Sequence, residues 1–171
     1  MIRNVGGRVE LSYSDATAAS IAQASGGHPF LARQLCSLAY KQRNQQPGEV
    51  PLQSVQAAAE RFLFDPQYST PTLGDNGLWS EISNVKLWGE QAARVNQSVL
   101  LTLAQSAQPL REIEIANDPE AALKRSALLA LQQLSVIRPV EEISDQSDSR
   151  YMIAFGLFRS WIRRVRLGLK E

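Results

Sequence analysis

The sequence is short of cysteine, histidine and long apolar runs, and each shortage excludes a class of protein. Cys36 is the only cysteine among 171 residues, so no internal disulfide can form; its place in an apolar helical run predicts a buried, inert thiol. One cysteine and one histidine cannot make a zinc site of the usual kind. No run approaches the ~20 apolar residues of a membrane span, and the first residues lack the apolar core of a signal peptide, so we expect a cytoplasmic protein that does not engage a membrane.

Charge and catalytic motifs are also sparse. The net charge is +1, which gives no global attraction to nucleic acid. No glycine-rich loop is followed by the Lys-Ser or Lys-Thr of a phosphate loop, and His28 is the only imidazole available as a catalytic base. We therefore expect no catalytic residues, no metal site and no cofactor of this chain's own, so that by itself it is not an enzyme.

The first half of the chain carries the helix signals of a small bundle. Ser14 is a typical N-cap, and Gly26 or Gly27 a typical C-terminal glycine, for a helix over 15–25. Two further helices are predicted over 29–42 and 52–64, with the intervening residues as a loop. The apolar face of the helix over 29–42 consists of Phe30, Leu31, Leu35, Leu38 and Ala39.

A polar stretch over 65–77 separates the two halves of the chain. It contains two prolines and two glycines, which makes it the best candidate for a domain boundary. A helix over 78–88 is predicted to bridge the halves, with Trp79 and Trp88 in the packing between them.

The second half predicts a different arrangement of elements. A helix over 92–106 with a stripe of apolar residues is followed by a connector and by a second helix over 118–134, for which Asp118 is the expected N-cap. Two apolar segments flank the polar "ISDQSDS" and predict a β-hairpin. The stripe of the first helix is Val95, Val99, Leu100, Leu103 and Ala104, and the inward face of the second is Leu123, Ala127, Ala130, Leu131 and Leu134.

An amphipathic helix is expected to end the chain, and the order of elements then predicts a fold. Phe158, Trp161, Ile162, Val165 and Leu169 share the apolar face of this helix, opposite its arginines. Helix, connector, helix, two-stranded hairpin and closing helix is the order of a winged-helix domain. We predict a mainly α protein with a helical bundle at 1–70, a linker and bridging helix at 71–90, and a winged-helix domain at 91–171.

The segment Gly26-Gly27-His28-Pro29 joins the first two predicted helices and is richer in special residues than a helix start requires. The glycines end one helix with positive φ, and Pro29 suits the first turn of the next. The N–H groups at the start of that second helix favour an anion. From the residues alone, a tight corner between helices without a ligand explains the same pattern, and Arg33 one turn later fits a solvated surface residue.

Both halves in this order resemble a known family. "IAQASGGHPFLARQLC" looks like the helical lid of the signal-transducing ATPases with numerous domains, an AAA-like class whose lid carries a Gly-x-Pro motif, here Gly27-His28-Pro29. "ALKRSALLALQQLSVIRP" followed by "YMIAFGLFRSWIRR" is similar to the winged helix that follows the lid in prokaryotic members. The resemblance covers most of the chain.

The resemblance implies a nucleotide-contacting role for Gly27, His28 and Pro29, with Arg33 as the lid arginine that reaches toward the γ-phosphate. Members of the family also carry an N-terminal phosphate-loop core, which the sequence does not contain. We therefore expect the chain to be the C-terminal regulatory portion of such an ATPase, with that core as its partner and ATP or ADP with magnesium bound by the complete protein.

The predicted winged helix leaves DNA binding and protein binding open. A DNA-reading helix usually presents Arg, Lys, Asn and Gln, whereas here leucines flank the outward face, and the hairpin tip carries two aspartates and no lysine. This favours a protein partner, with a DNA-binding regulator and a pure interaction scaffold as alternatives. The candidate contact residues are Lys124, Arg125, Leu128, Leu129, Gln132, Arg159, Arg163 and Arg166.

Overall fold

The protein is mainly helical, as predicted, in a computed structural model that describes residues 11–44, 46–140 and 149–169. It divides into two compact units. The first contains residues up to Ser69 together with Phe155–Leu157, and the second contains Thr70–Ala154 and the residues from Phe158 onward. Within the described residues, no helix has the length and apolar character that crossing a membrane requires.

Helix α1 (Asp15–Ser25) of the first unit begins and ends where its sequence signals predict. The Ser14 side chain accepts a hydrogen bond from the Thr17 backbone N–H at 3.2 Å, which satisfies one of the free donors of the first turn. Gly26 closes the helix in the left-handed conformation, with φ 58°. The predicted N-cap and terminal glycine are both confirmed.

Helices α2 (Pro29–Gln42) and α3 (Leu52–Phe64) also match their predicted bounds, but the segment between them is not only a loop. Gly48–Val50 form strand β2, which pairs in parallel with β1 (Leu11–Tyr13). The buried Thr17 hydroxyl donates to the Val50 carbonyl at 3.3 Å and ties α1 to this strand. The prediction of a loop was wrong here because a three-residue strand shows no period, and its partner lies more than thirty residues away.

The polar stretch 65–77 is partly helical. Helix α4 (Pro66–Thr72) starts at a proline, and the Asp65 carboxylate accepts the Gln67 N–H at 3.0 Å as an N-cap does. This helix was not predicted because its seven residues are too few for a clear helical period and because Pro71 lies inside it.

The helix predicted over 78–88 is two short helices of the second unit. They are α5 (Leu78–Ile82) and α6 (Val85–Trp88), and Asn84 between them accepts hydrogen bonds from the N–H groups of the next turn. Trp79 is buried in the second unit beside Trp161, with ring centroids 5.9 Å apart.

Helix α7 (Glu90–Gln105) is the centre of the second unit. All five residues of its predicted apolar stripe are buried. A short strand β3 (Leu110–Arg111) and helix α8 (Glu112–Ile115) follow, and then α9 (Ala121–Gln133) packs on α7. Helix α9 starts later than predicted, because Asp118 accepts the Glu120 N–H in a turn at 3.0 Å and Glu120 is the N-cap.

The predicted hairpin pairing is confirmed. Strands β4 (Ile137–Val140) and β5 (Arg150–Ile153) are antiparallel, with Ile137 opposite Ile153. Strand β3 pairs on the other side of β5, so the sheet order is β3-β5-β4. Between β4 and β5, residues 141–148 lie outside the described residues, and with them almost all of the "ISDQSDS" segment.

The last helix changes its winding, which corrects its predicted apolar face. Helix α10 (Gly156–Trp161) continues as a π-helix over Ile162–Arg166. A π-turn closes its hydrogen bonds one residue later than an α-turn, so the apolar positions leave the buried face. Phe158, Trp161 and Ile162 are buried as expected, whereas Val165 is 52% exposed. Leu169, 38% exposed, lies beyond the last helical residue, Arg166.

Candidate functional site

The corner between α1 and α2 in the first unit is built on two consecutive left-handed glycines. Gly26 has φ 58° and Gly27 φ 78°. The Gly27 N–H donates to the Ala22 carbonyl at 3.1 Å and the His28 N–H to the Ser25 carbonyl at 3.0 Å, which satisfies carbonyls at the end of α1. A Cβ at Gly27 would meet nothing within 4 Å, so positive φ, and not crowding by this chain, is what requires glycine there.

The start of α2 has free hydrogen-bond donors. His28 is the N-cap in an extended conformation, but its side chain makes no capping hydrogen bond. Pro29 occupies the first turn and has no N–H to leave unpaired. The N-terminus of α2, a helix of fourteen residues, therefore presents backbone N–H groups and the positive end of the helix dipole, and no side chain caps them.

The corner is open to solvent over the whole of its length. Residues 26–30 and Arg33 are exposed, whereas Leu31 is 1% exposed. The prediction that Phe30 belongs to the buried face was wrong, because Phe30 is 50% exposed. At roughly 100° per residue, Phe30 lies one step outside the arc that contains Leu31, Leu35 and Leu38, and it shares the solvent side with Arg33.

A distant segment of the chain contributes to the same unit beside the corner. The rings of His28 and Phe155 meet edge to face, with centroids 5.7 Å apart and planes at 89°. Next to Phe155, a Cβ at Gly156 would come within 2.9 Å of the Gln23 carbonyl oxygen, so that only glycine permits this approach. No local sequence pattern indicates this contact, since it joins segments more than 120 residues apart.

The four residues that the family resemblance selects thus lie around one exposed helix start. Gly27, His28 and Pro29 form the turn, and Arg33 follows one turn later with no pairing partner among the described residues. The groups available for binding are the rigid apolar ring of Pro29, the backbone at Gly27, which a ligand can approach closely, the free N–H donors of α2 and the Arg33 guanidinium. Such a set suits a group with a flat ring and an anion. Within the described part of the chain, no cluster of His, Cys, Asp and Glu is suited to a metal ion.

Two residues of α9 that were predicted to contact a partner are buried and do not lie on the outward face of the helix. Lys124 and Leu128 are buried, 8% and 2% exposed, so the prediction that they contact a partner from the surface was wrong. The buried stripe is Lys124, Ala127, Leu128 and Leu131, which shares only Ala127 and Leu131 with the predicted one, and Leu134 is 44% exposed. The Lys124 ammonium forms an ion pair with Asp118 and lowers the pKa of that carboxyl.

Three of the predicted contact residues on α9 do lie on the surface. Leu129 is 62% exposed, and Arg125 and Gln132 are exposed beside it in the helix. Arg125 donates to Glu112 at 2.8 Å, so its charge is partly offset within the unit.

The arginines at the end of the chain are not a free basic stripe. Arg163 donates to the carbonyls of Ala104 and Gln105 at 2.9 and 3.3 Å, and Arg159 donates to the Ser106 carbonyl. These carbonyls are at the C-terminus of α7, where a cation is favoured by both hydrogen bonding and the helix dipole. Both residues are half-buried, and some of their donors are used inside the unit, so their contact with DNA or a partner stays a prediction.

Arg166 is used inside the second unit as well. Its guanidinium pairs with the Asp75 carboxylate and lies over the rings of Trp79 and Trp161, 4.9 and 5.2 Å from their centroids. Its sequence signal was ambiguous, because an arginine opposite an apolar face is compatible with solvent, with phosphate and with a stacked aromatic.

Comparison with protein-family models, curated proteins and solved structures found no match to this chain.

Proposed function

We propose that the chain is a regulatory, non-catalytic part of an AAA-like signalling ATPase. In this proposal the corner at Gly27-His28-Pro29 contacts a nucleotide held by a phosphate-loop core, with Arg33 directed toward its phosphates. The second unit acts as a winged helix that contacts a protein, either that core or a separate partner. A switch of this kind needs contacts that differ between the ADP and ATP states.

The open corner is the observation that carries the proposal. A corner that served only to connect two helices would be expected to bury its apolar residues and cap its donors. Here Pro29 and Phe30 face solvent, the start of α2 lacks a side-chain cap, and space is free above Gly27. These features favour an external group at this point of the first unit.

The element order of the second unit supports the winged-helix part of the proposal. Helix α7 is followed by a short strand, two helices and a hairpin, and β3 completes a three-stranded antiparallel sheet. A protein partner is favoured over DNA because Leu129 is exposed on α9 and because Arg159, Arg163 and Arg166 are engaged inside the unit. A DNA-binding regulator remains the alternative that a binding assay tests.

The nucleotide part can be tested on this chain with a matched pair of glycine variants. Gly27 and Gly89 have φ of 78° and 80°, and a Cβ would meet nothing within 4 Å at either position. Both Gly→Ala changes put a side chain on a backbone of positive φ, which costs roughly 1–3 kcal/mol at such positions. Only Gly27→Ala puts a methyl group on the surface proposed to meet the nucleotide.

The measurement is an amide NMR titration with magnesium ADP, with adenosine and pyrophosphate as separate arms. We expect weak, saturable shifts at Gly27, His28, Phe30 and Arg33 in the wild type and in Gly89→Ala, and a clear loss of these shifts in Gly27→Ala. Shifts that are absent in the wild type, or equal in both variants, contradict the nucleotide role and leave the interaction scaffold as the better hypothesis.

A further inference from the structure

A pocket in the second unit is lined by none of the residues assigned above to the nucleotide. It has a volume of about 230 Å³ and is bordered by α6, α7 and α9. That volume corresponds to roughly eight water molecules at liquid density, so it suits a single ring with a substituent. The lining residues are Trp88, Ala92, Val95, Asn96, Leu123, Ser126, Ala127 and Ala130.

Asn96 is the unusual residue of this pocket. It is only 2% exposed as a residue, and it supplies the only carboxamide among the lining residues. An apolar group that filled the pocket would displace water from this carboxamide without replacing its hydrogen bonds, which is costly. An occupant with its own donor and acceptor is therefore favoured, because it can hydrogen-bond to Asn96.

The remaining polar groups of the lining are already satisfied. The Trp88 indole N–H donates to the Glu81 carbonyl at 2.9 Å, and the Ser126 hydroxyl donates to the Ala122 carbonyl of its own helix at 3.2 Å. No charged side chain is among the lining residues. The pocket therefore offers one carboxamide, an indole ring and aliphatic walls, which disfavours a charged ligand.

We propose that this pocket binds a small, planar, uncharged ligand that carries an adjacent hydrogen-bond donor and acceptor, such as an amide or lactam edge. The donor–acceptor pair matches the Asn96 carboxamide, which presents one acceptor oxygen and two donor hydrogens. The ring packs on Trp88 and the alanine and leucine side chains. This site is independent of the nucleotide proposal, because it uses other residues of another unit.

The test uses benzamide, 2-pyridone and uracil as probes, with toluene and benzoate as the apolar and charged comparisons. Binding to the whole chain is followed by NMR at the Asn96 side-chain NH₂ and the Trp88 indole N–H. We expect saturable binding of at least one amide-bearing probe, weaker binding of toluene and none of benzoate. If none of the three amide-bearing probes binds, or if toluene binds equally well, the proposal is overturned.

The Asn96→Leu variant distinguishes whether the Asn96 amide binds a ligand or only stabilises the fold. The change keeps the side-chain size and removes the carboxamide, so it is expected to lower affinity for the amide-bearing probe about tenfold without lowering the melting temperature. Asn117→Leu, at an exposed asparagine, is the matched control and should leave the affinity unchanged. A fall in melting temperature for Asn96→Leu with affinity retained would show that the amide has a purely structural role and overturn the proposal.

A second pair of variants keeps the proposal testable if Asn96→Leu does not fold. Ala130 is half-buried at the pocket, and Ala122 is exposed on the same helix outside it. We expect Ala130→Leu to fill the pocket and abolish probe binding, and Ala122→Leu to leave it intact. Equal binding by both variants would place the probes elsewhere and refute the assigned pocket.

Discussion

Tyr13 and Cys36 show what burial does to two acidic side chains in the first unit. Both are buried, as expected for the cysteine. Burial raises the pKa of the Tyr13 phenol well above its usual range, and the neighbouring Cys36 thiol adds to the effect. Burial likewise raises the pKa of the Cys36 thiol. Each group is held in its neutral, protonated form by the fold.

Alkaline pH is therefore expected to destabilise the protein through these two residues. Their stabilising contribution is complete below the pKa values of the unfolded chain, about 8.5 for Cys and 10 for Tyr. It is lost as pH rises toward the higher folded values, by at most about 1.4 kcal/mol per pH unit and group. Urea unfolding of the wild type, Tyr13→Phe and Cys36→Ala between pH 7 and 11 measures this effect.

The two variants should show a shallower alkaline loss of unfolding free energy than the wild type. The difference belongs only to the upper part of the pH range, since all three chains are neutral at these positions at pH 7. Parallel curves for wild type and Tyr13→Phe would contradict the role given to the phenol.

At the scale of elements, the C-terminus of α7 depends on arginines from the end of the chain. Arg163 supplies hydrogen bonds to two of its last carbonyls. We expect Arg163→Ala to lower the free energy of unfolding by about 1.5–3 kcal/mol, the range for hydrogen bonds that involve a charged group. The exposed pair of Arg94 with Glu120 offers a comparison, and Arg94→Ala should cost less than about 1 kcal/mol.

Chemical denaturation of both variants, with amide exchange of the last turn of α7, distinguishes the two outcomes. Faster exchange confined to that turn in Arg163→Ala is the expected signature of lost capping. If Arg163→Ala is as stable as Arg94→Ala, these hydrogen bonds contribute nothing measurable and the arginine is available for a partner.

At the scale of the whole molecule, charge argues against strong DNA binding. The net charge is +1, and three arginines of the last helix are used internally. A protein that neutralises only about two phosphates loses roughly twelvefold in DNA affinity between 50 and 200 mM salt, and we expect a loss no larger than this. A gel shift across this range is the measurement, and a loss of a thousandfold or more would favour the DNA-binding alternative.

The sequence predicted elements whose signals are local. Ser14, Gly26 and Pro29 set the ends of α1 and α2 to within a residue, because capping and left-handed φ are properties of a few neighbouring side chains. The stripe of α7 was also predictable, since its sixteen residues give a clear helical period. The turn between α1 and α2 also followed from its glycines and proline, whereas its exposure did not.

Tertiary structure decided what depends on distant partners. The pairing of β1 with β2, the edge of Phe155 against His28 and the internal use of Arg159 and Arg163 each join segments far apart in sequence. The phase of α9 and the π-winding after Trp161 were set by packing, which shifted Leu128 inward and Val165 outward. Local sequence determines where a helix starts and ends, but which of its side chains meet solvent depends on the neighbours that the whole fold supplies.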